Sequence, residues 1–195
     1  MRLSAWTFAV LFAGPVFAGE QMTVSVCTRG SLDVRAITGA EAAAAALFRP
    51  LDIEVAWAKC EVGLEGDEAT QQHWYTVRLR DGRPFITPST LDTLGEAFLS
   101  IDNAGYIVDV YYEAVQTVAI SKEVDLTRLL GYVIAHELGH LLLGPAHGPY
   151  GVMRAVWNVY DLEAIRQGHL KFSAAQGARM RSVLHGDGAN ATGGP

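Results

Sequence analysis

Residues 125–147 read DLTRLLGYVIAHELGHLLLGPAH, and the fold turns on how that stretch is read. Leu126, Leu129, Leu130, Val133, Ile134, Leu138, Leu141 and Leu142 recur at helical spacing. Asp125 is a suitable N-cap, and Gly144-Pro145 is a stop. The pattern predicts a long, buried helix whose last two turns carry His136, Glu137 and His140. Residues four apart share a helix face, so the two imidazoles project side by side. Neutral imidazoles so placed can hold one Zn²⁺, with Glu137 positioned as a base on water bound to it. The pentad therefore implies metal-assisted hydrolysis. A surface histidine pair with an ordinary Glu between is the weaker alternative, because unpaired charge in so apolar a segment is costly.

The rest of the chain sets bounds on that reading. Its 195 residues are 50% hydrophobic and 18% charged, enough for one packed domain and too apolar for a disordered chain. A net charge of −6 and the absence of any basic run argue against nucleic acid as a partner. Residues 1–18 have the form of an export signal: Arg2, then an apolar run over 3–13, the helix breaker Pro15, and small residues ending at Ala18. Cleavage after Ala18 would leave a single domain over 19–185 and a Gly-rich flexible tail over 186–195. An uncleaved N-terminal anchor is the competing reading. With the signal removed, no segment is left that could cross a membrane, so the expected location is secreted or periplasmic. Export implies an oxidising compartment, where Cys27 and Cys60 are expected to form one disulfide. Two buried free thiols are the alternative.

Residues 22–28, with Val24 and Val26 alternating, predict a first strand. Thr38, Glu41 and the alanine run after them predict a helix over 38–48, ended by Pro50. Residues 53–59 predict a second strand, parallel to the first because a helix crosses between them. That places Cys27 and Cys60 at the same ends of neighbouring strands. Strands are predicted over 74–79, 94–100 and 106–111, with turns at Asp81-Gly82 and Asp102-Asn103-Ala104-Gly105. A helix follows over 113–120. After the helix that bears the pentad, a glycine-rich loop reaches about Asn158. Ser173 and Gln176 form a capping box that opens a last helix ending near Leu184.

Catalytic zinc needs three protein ligands and one open position. His147 is the leading third ligand, because Gly144 can turn the chain back beneath His140. Glu163 is an alternative of the kind found in gluzincins, and His169, His185 and His73 have weaker claims. The run from Ile134 to His147 resembles the metzincin zinc metalloproteases, whose motif is His-Glu-x-x-His-x-x-Gly-x-x-His followed by a Met-turn. Here Gly144 and His147 each fall one residue later, and Ala155 stands where astacins place a Tyr.

The resemblance implies several things. His136, His140 and His147 would be the zinc ligands, and Met153 in Gly151-Val152-Met153 would be the Met-turn residue. The fold would be α+β and zincin-like: a mixed, twisted sheet of about five strands with a backing helix, an active-site helix and a C-terminal helix. Residues 94–98 resemble the edge strand of matrix metalloproteases, so the backbone of Ala97, Phe98 and Leu99 would bind a peptide by strand addition. An ordinary edge strand is the alternative there. The expected function is that of an exported zinc-dependent endopeptidase acting on a peptide or protein substrate. A non-catalytic exported zinc- or peptide-binding module on the same scaffold is the alternative. Oligomeric state is not encoded in any of these features.

Overall fold

A computed structural model describes residues 19–28, 32–60, 73–81, 93–101 and 105–186. The export signal at 1–18, the loop over 63–69, most of the two turns and the tail from 187 lie outside the described residues. The elements run β1 (Glu20–Thr28), α1 (Val34–Phe48), β2 (Ile53–Lys59), β3 (Trp74–Arg80), β4 (Gly95–Phe98), β5 (Ile107–Tyr111), α2 (Tyr112–Ser121), α3 (Leu126–Leu143), α4 (Val159–Gln167) and α5 (Ala174–Leu184).

The strands form one sheet in the order β2-β1-β3-β5-β4. β2, β1, β3 and β5 run parallel, and β4 closes one edge antiparallel to β5. The sheet is mixed and the fold α+β, as the sequence implied. β1 and β2 pair in parallel across α1, which is the expected crossover unit. Cys27 and Cys60 are joined by a disulfide, with Cα atoms 4.9 Å apart.

Alternation along each strand sends one set of side chains to the helices. Met22 and Val24 of β1, Tyr75, Val77 and Leu79 of β3, and Val108 and Val110 of β5 are buried there. The other face of the sheet is polar. On it Asp109 is buried beside Arg78, at 2.5 Å, and Tyr111 Oη donates to Glu96 Oε2 at 3.3 Å.

α3 lies at the centre of the core. Thirteen of its 18 residues are buried, the signature of a helix with apolar neighbours on every side. Asp125 caps it, its side chain accepting from Arg128 N at 2.9 Å. α1 crosses it closely because the contact is built from small residues: Gly131 of α3 faces Ala40, Ala43 and Ala44 of α1.

Several predicted boundaries move. α1 begins at Val34, not at Thr38, because the Asp33 side chain accepts from Arg35 N and caps the helix four residues earlier. After α1, Pro50 sits within a 3-10 turn, Arg49–Leu51, and does not break the chain at once. β4 is shorter than its prediction, leaving Leu99 and Ser100 beyond its end. α4 follows directly on the glycine-rich loop that ends near Asn158 and fills the stretch before the last helix, where the sequence reading placed no element. Its cap is a box in which the Asn158 side chain accepts from Asp161 N at 3.0 Å and the Asp161 carboxylate from Asn158 N at 2.9 Å. α5 starts where predicted, with the Ser173–Gln176 box formed. Among the described residues, no helix is long and apolar enough to cross a membrane.

Candidate metal centre

The last two turns of α3 and the segment after it bring three imidazoles together. Gly144 ends α3 at φ 90°, a conformation that strains any residue with a side chain. Its N–H donates to the His140 carbonyl at 2.9 Å. The chain then doubles back, and His147 Nε2 comes to 3.2 Å from His140 Nε2. His136 Nε2 lies 3.1 Å from His140 Nε2 on the other side. Ligand atoms of the three residues all fall within 4.8 Å of one another. The extra residue before Gly144 is taken up by the helix, which continues through Leu143.

Backbone carbonyls fix the orientation of two rings. His136 Nδ1–H donates to the Val152 carbonyl at 2.7 Å, and His140 Nδ1–H to the Gly144 carbonyl at 3.0 Å. With Nδ1 protonated and engaged, the Nε2 lone pairs of both rings point at one place. Trp157 reinforces this: its Nε1–H also donates to the Val152 carbonyl, at 3.2 Å, and its ring stands at 90° to His136, 5.8 Å away. Beneath the pair lies Met153, fully buried, with its sulfur against Gly139 of α3. The turn that carries it is held by Gly148 N–H to the Met153 carbonyl at 2.7 Å and by Val152 N–H to the Lys171 carbonyl at 3.1 Å. An ion pair from Arg154 to the buried Asp161, 3.3 Å, ties the same turn to α4.

Electrostatics suit a cation. Burial holds the His136 imidazole well below its ordinary value, at about 4, and the neighbouring His140 and His147 rings push the same way. Burial likewise lowers His140. Both are thus neutral near pH 7, the form that binds metal. Burial pushes the Glu137 carboxyl up to about 8, and the charge of Glu96 adds to it. A nearby divalent cation reverses that pressure, because opposite charge favours the ionised carboxylate. Two of the three nitrogen spacings also fit zinc. Tetrahedral zinc with nitrogens at about 2.0–2.1 Å sets them roughly 3.3 Å apart, close to the 3.1 and 3.2 Å seen here.

The other candidates stand elsewhere. Glu163 is on the exposed side of α4, bound to Arg166 at 2.7 Å and Gln167 at 2.7 Å. His169 is exposed, His185 pairs with Glu20 at 3.1 Å, and His73 sits at the start of β3. Ala97 and Phe98 are on β4, and Leu99 follows it. Phe98 is exposed, with the Arg78 guanidinium 5.2 Å from its ring centre. Two features of the site carried no reading in the sequence: the Val152 carbonyl that orients His136, and the contact of Gly95 with Glu137. A glycine inside a strand pattern is a signal of close approach, and it could have pointed to the second.

Sheet, central helix and histidine cluster together form a zincin-like α+β fold. No protein-family model matches the chain, and no curated protein does. Among solved structures it is similar to an archaemetzincin from Methanopyrus kandleri, with a TM-score of 0.52 and 14% identity over 88% of this chain and 99% of that one. It is also similar to metalloproteinase-II from Bacteroides fragilis, with a TM-score of 0.52 and 18% identity, covering 86% of this chain and 55% of that one.

Proposed function

We propose that the chain is an exported zinc-dependent endopeptidase of metzincin-like design. The observation that carries the reading is the convergence of three imidazoles, two with Nδ1 held by backbone carbonyls, beside the buried carboxyl of Glu137. His136, His140 and His147 would hold the zinc, which would supply Lewis acidity toward a peptide carbonyl and a water. Glu137 takes the proton of the attacking water and hands it to the departing amine. Met153 gives the histidines an apolar floor. β4 is an edge strand among the described residues, where an extended peptide can add beside Ala97, Phe98 and Leu99. Export is supported by the Cys27–Cys60 disulfide, since disulfides persist in oxidising compartments.

The test is chelator-sensitive cleavage of a broad peptide library by the wild type and by Glu137→Gln. The variant is expected to keep its zinc, measured by elemental analysis, and to lose at least about 100-fold in hydrolysis. Equal rates for the two proteins would remove Glu137 from the role of base. A zinc-loaded wild type that cleaves nothing in the library would leave the non-catalytic binding module as the reading.

A further inference from the structure

β4 touches the site as well as bordering it. Gly95 pairs with Val110 of β5 and faces α3. A Cβ placed on Gly95 would stand 2.7 Å from Glu137 Cγ, 2.7 Å from Oε1 and 2.9 Å from Cδ. Real side chains do not approach so closely, so the Glu137 carboxyl occupies the space that any side chain at position 95 would need. Conformation does not demand glycine here: the positive-φ glycines among the described residues are Gly144, Gly151, Gly168 and Gly186. A glycine inside a strand weakens it, and close approach by another group is the usual compensation.

The strand itself is firmly placed. Tyr111 N–H donates to the Leu94 carbonyl at 2.9 Å, Tyr111 Oη reaches Glu96 at 3.3 Å, and Arg78 lies over Phe98. Gly95 is therefore a fixed wall against a side chain that could otherwise rotate.

We infer that Gly95 is a positioning residue for Glu137: its missing side chain forms the recess that holds the carboxyl between α3 and β4. One strand then sets both partners of the reaction, the peptide laid along its edge and the base against its inner face. The inference rests on the reading of Glu137 as base, but the contact itself can be tested without turnover.

The experiment combines Gly95→Ala with Glu137→Ala in a four-protein cycle, read by melting temperature and zinc content. The wild-type and Gly95→Ala proteins are also read by peptide hydrolysis. Gly95→Ala is expected to lower the melting temperature when Glu137 is present and to have little effect in the Glu137→Ala background. Its zinc content and KM should match wild type, while kcat falls about 100-fold, the cost of a misplacement near 1 Å. Equal destabilisation in both backgrounds, or an unchanged kcat, overturns the inference. A wild type without hydrolysis overturns the peptidase reading alone, because the melting cycle still decides whether Gly95 holds Glu137.

Discussion

Glu137 sits in a balance that a bound cation would tip. Without a cation, its carboxyl is pushed from 4.5 to about 8 by burial and by Glu96. Folding stability depends on pH wherever folded and unfolded states bind different numbers of protons. Here the folded state holds the extra proton, so the group's stabilising contribution is complete below pH 4.5 and is lost as pH rises to about 8. Glutamine keeps the shape and carries no charge. Metal-free Glu137→Gln should therefore match the metal-free wild type near pH 4 and exceed it at pH 8. At about 1.4 kcal/mol per pKa unit, the gain is on the order of a few kcal/mol. His136 pulls the opposite way between about 4 and 6.5, where its folded form resists protonation and stability rises with pH. Both proteins share that contribution, so it cancels in the difference. Urea midpoints in excess chelator across this range are the measurement, and parallel profiles for the two proteins would show that Glu137 is not desolvated as described.

At the scale of elements, the pairing of α1 with α3 decides where the histidines stand. Gly131 is where the backbones leave no room for a side chain: a Cβ there would meet Ala43 Cβ at 2.6 Å, the Ala40 carbonyl oxygen at 2.7 Å and Ala44 N at 3.0 Å. Two of those atoms are backbone and cannot rotate away. In an exposed helix, Gly→Ala gains about 1 kcal/mol from propensity. Gly131→Ala should reverse that sign and cost roughly 1–3 kcal/mol by overpacking. Denaturant unfolding of the zinc-free protein checks it, and a stabilised variant would mean that the helices are free to separate.

What the sequence revealed of these elements follows the strength of local signals. α3 has eight apolar residues in register and a cap, and α5 a Ser-x-x-Gln box, so both were legible. The first turn of α1 was not, because Val34 is 72% exposed and shows no apolar pattern. α4 buries only Asp161, Leu162 and Ile165, while Val159 and Tyr160 face solvent. Two apolar positions do not make a period, and Asn-x-x-Asp is a weaker box than Ser-x-x-Glu. His136 and His140 are adjacent by helix geometry alone, and His147 needs only a turn at Gly144. The approach of Gly95 to Glu137 joins residues far apart in sequence, so it exists only once sheet and helix have packed.

Across the whole molecule, the disulfide and the candidate metal centre occupy opposite edges of one sheet. Cys27 and Cys60 join the ends of β1 and β2, whereas α3 packs its pentad against β4 at the far edge. Three strands separate β2 from β4, so strain released at one edge has the parallel core of β1, β3 and β5 between it and the other. The bond closes a loop with a sequence separation of 33. On the chain-entropy account, this restricts the unfolded chain enough to stabilise the fold by about 3–4 kcal/mol. A Cys27→Ser, Cys60→Ser double variant should thus lose about that much in denaturant unfolding. Well below its melting temperature it should bind zinc with wild-type affinity, because neither of the carbonyls that orient His136 and His140 lies on β1 or β2. Zinc titration of the folded variant beside the wild type separates the two effects. A parallel loss of zinc affinity and stability would mean that the sheet transmits strain across its full width, and the two edges would then have to be treated as one unit.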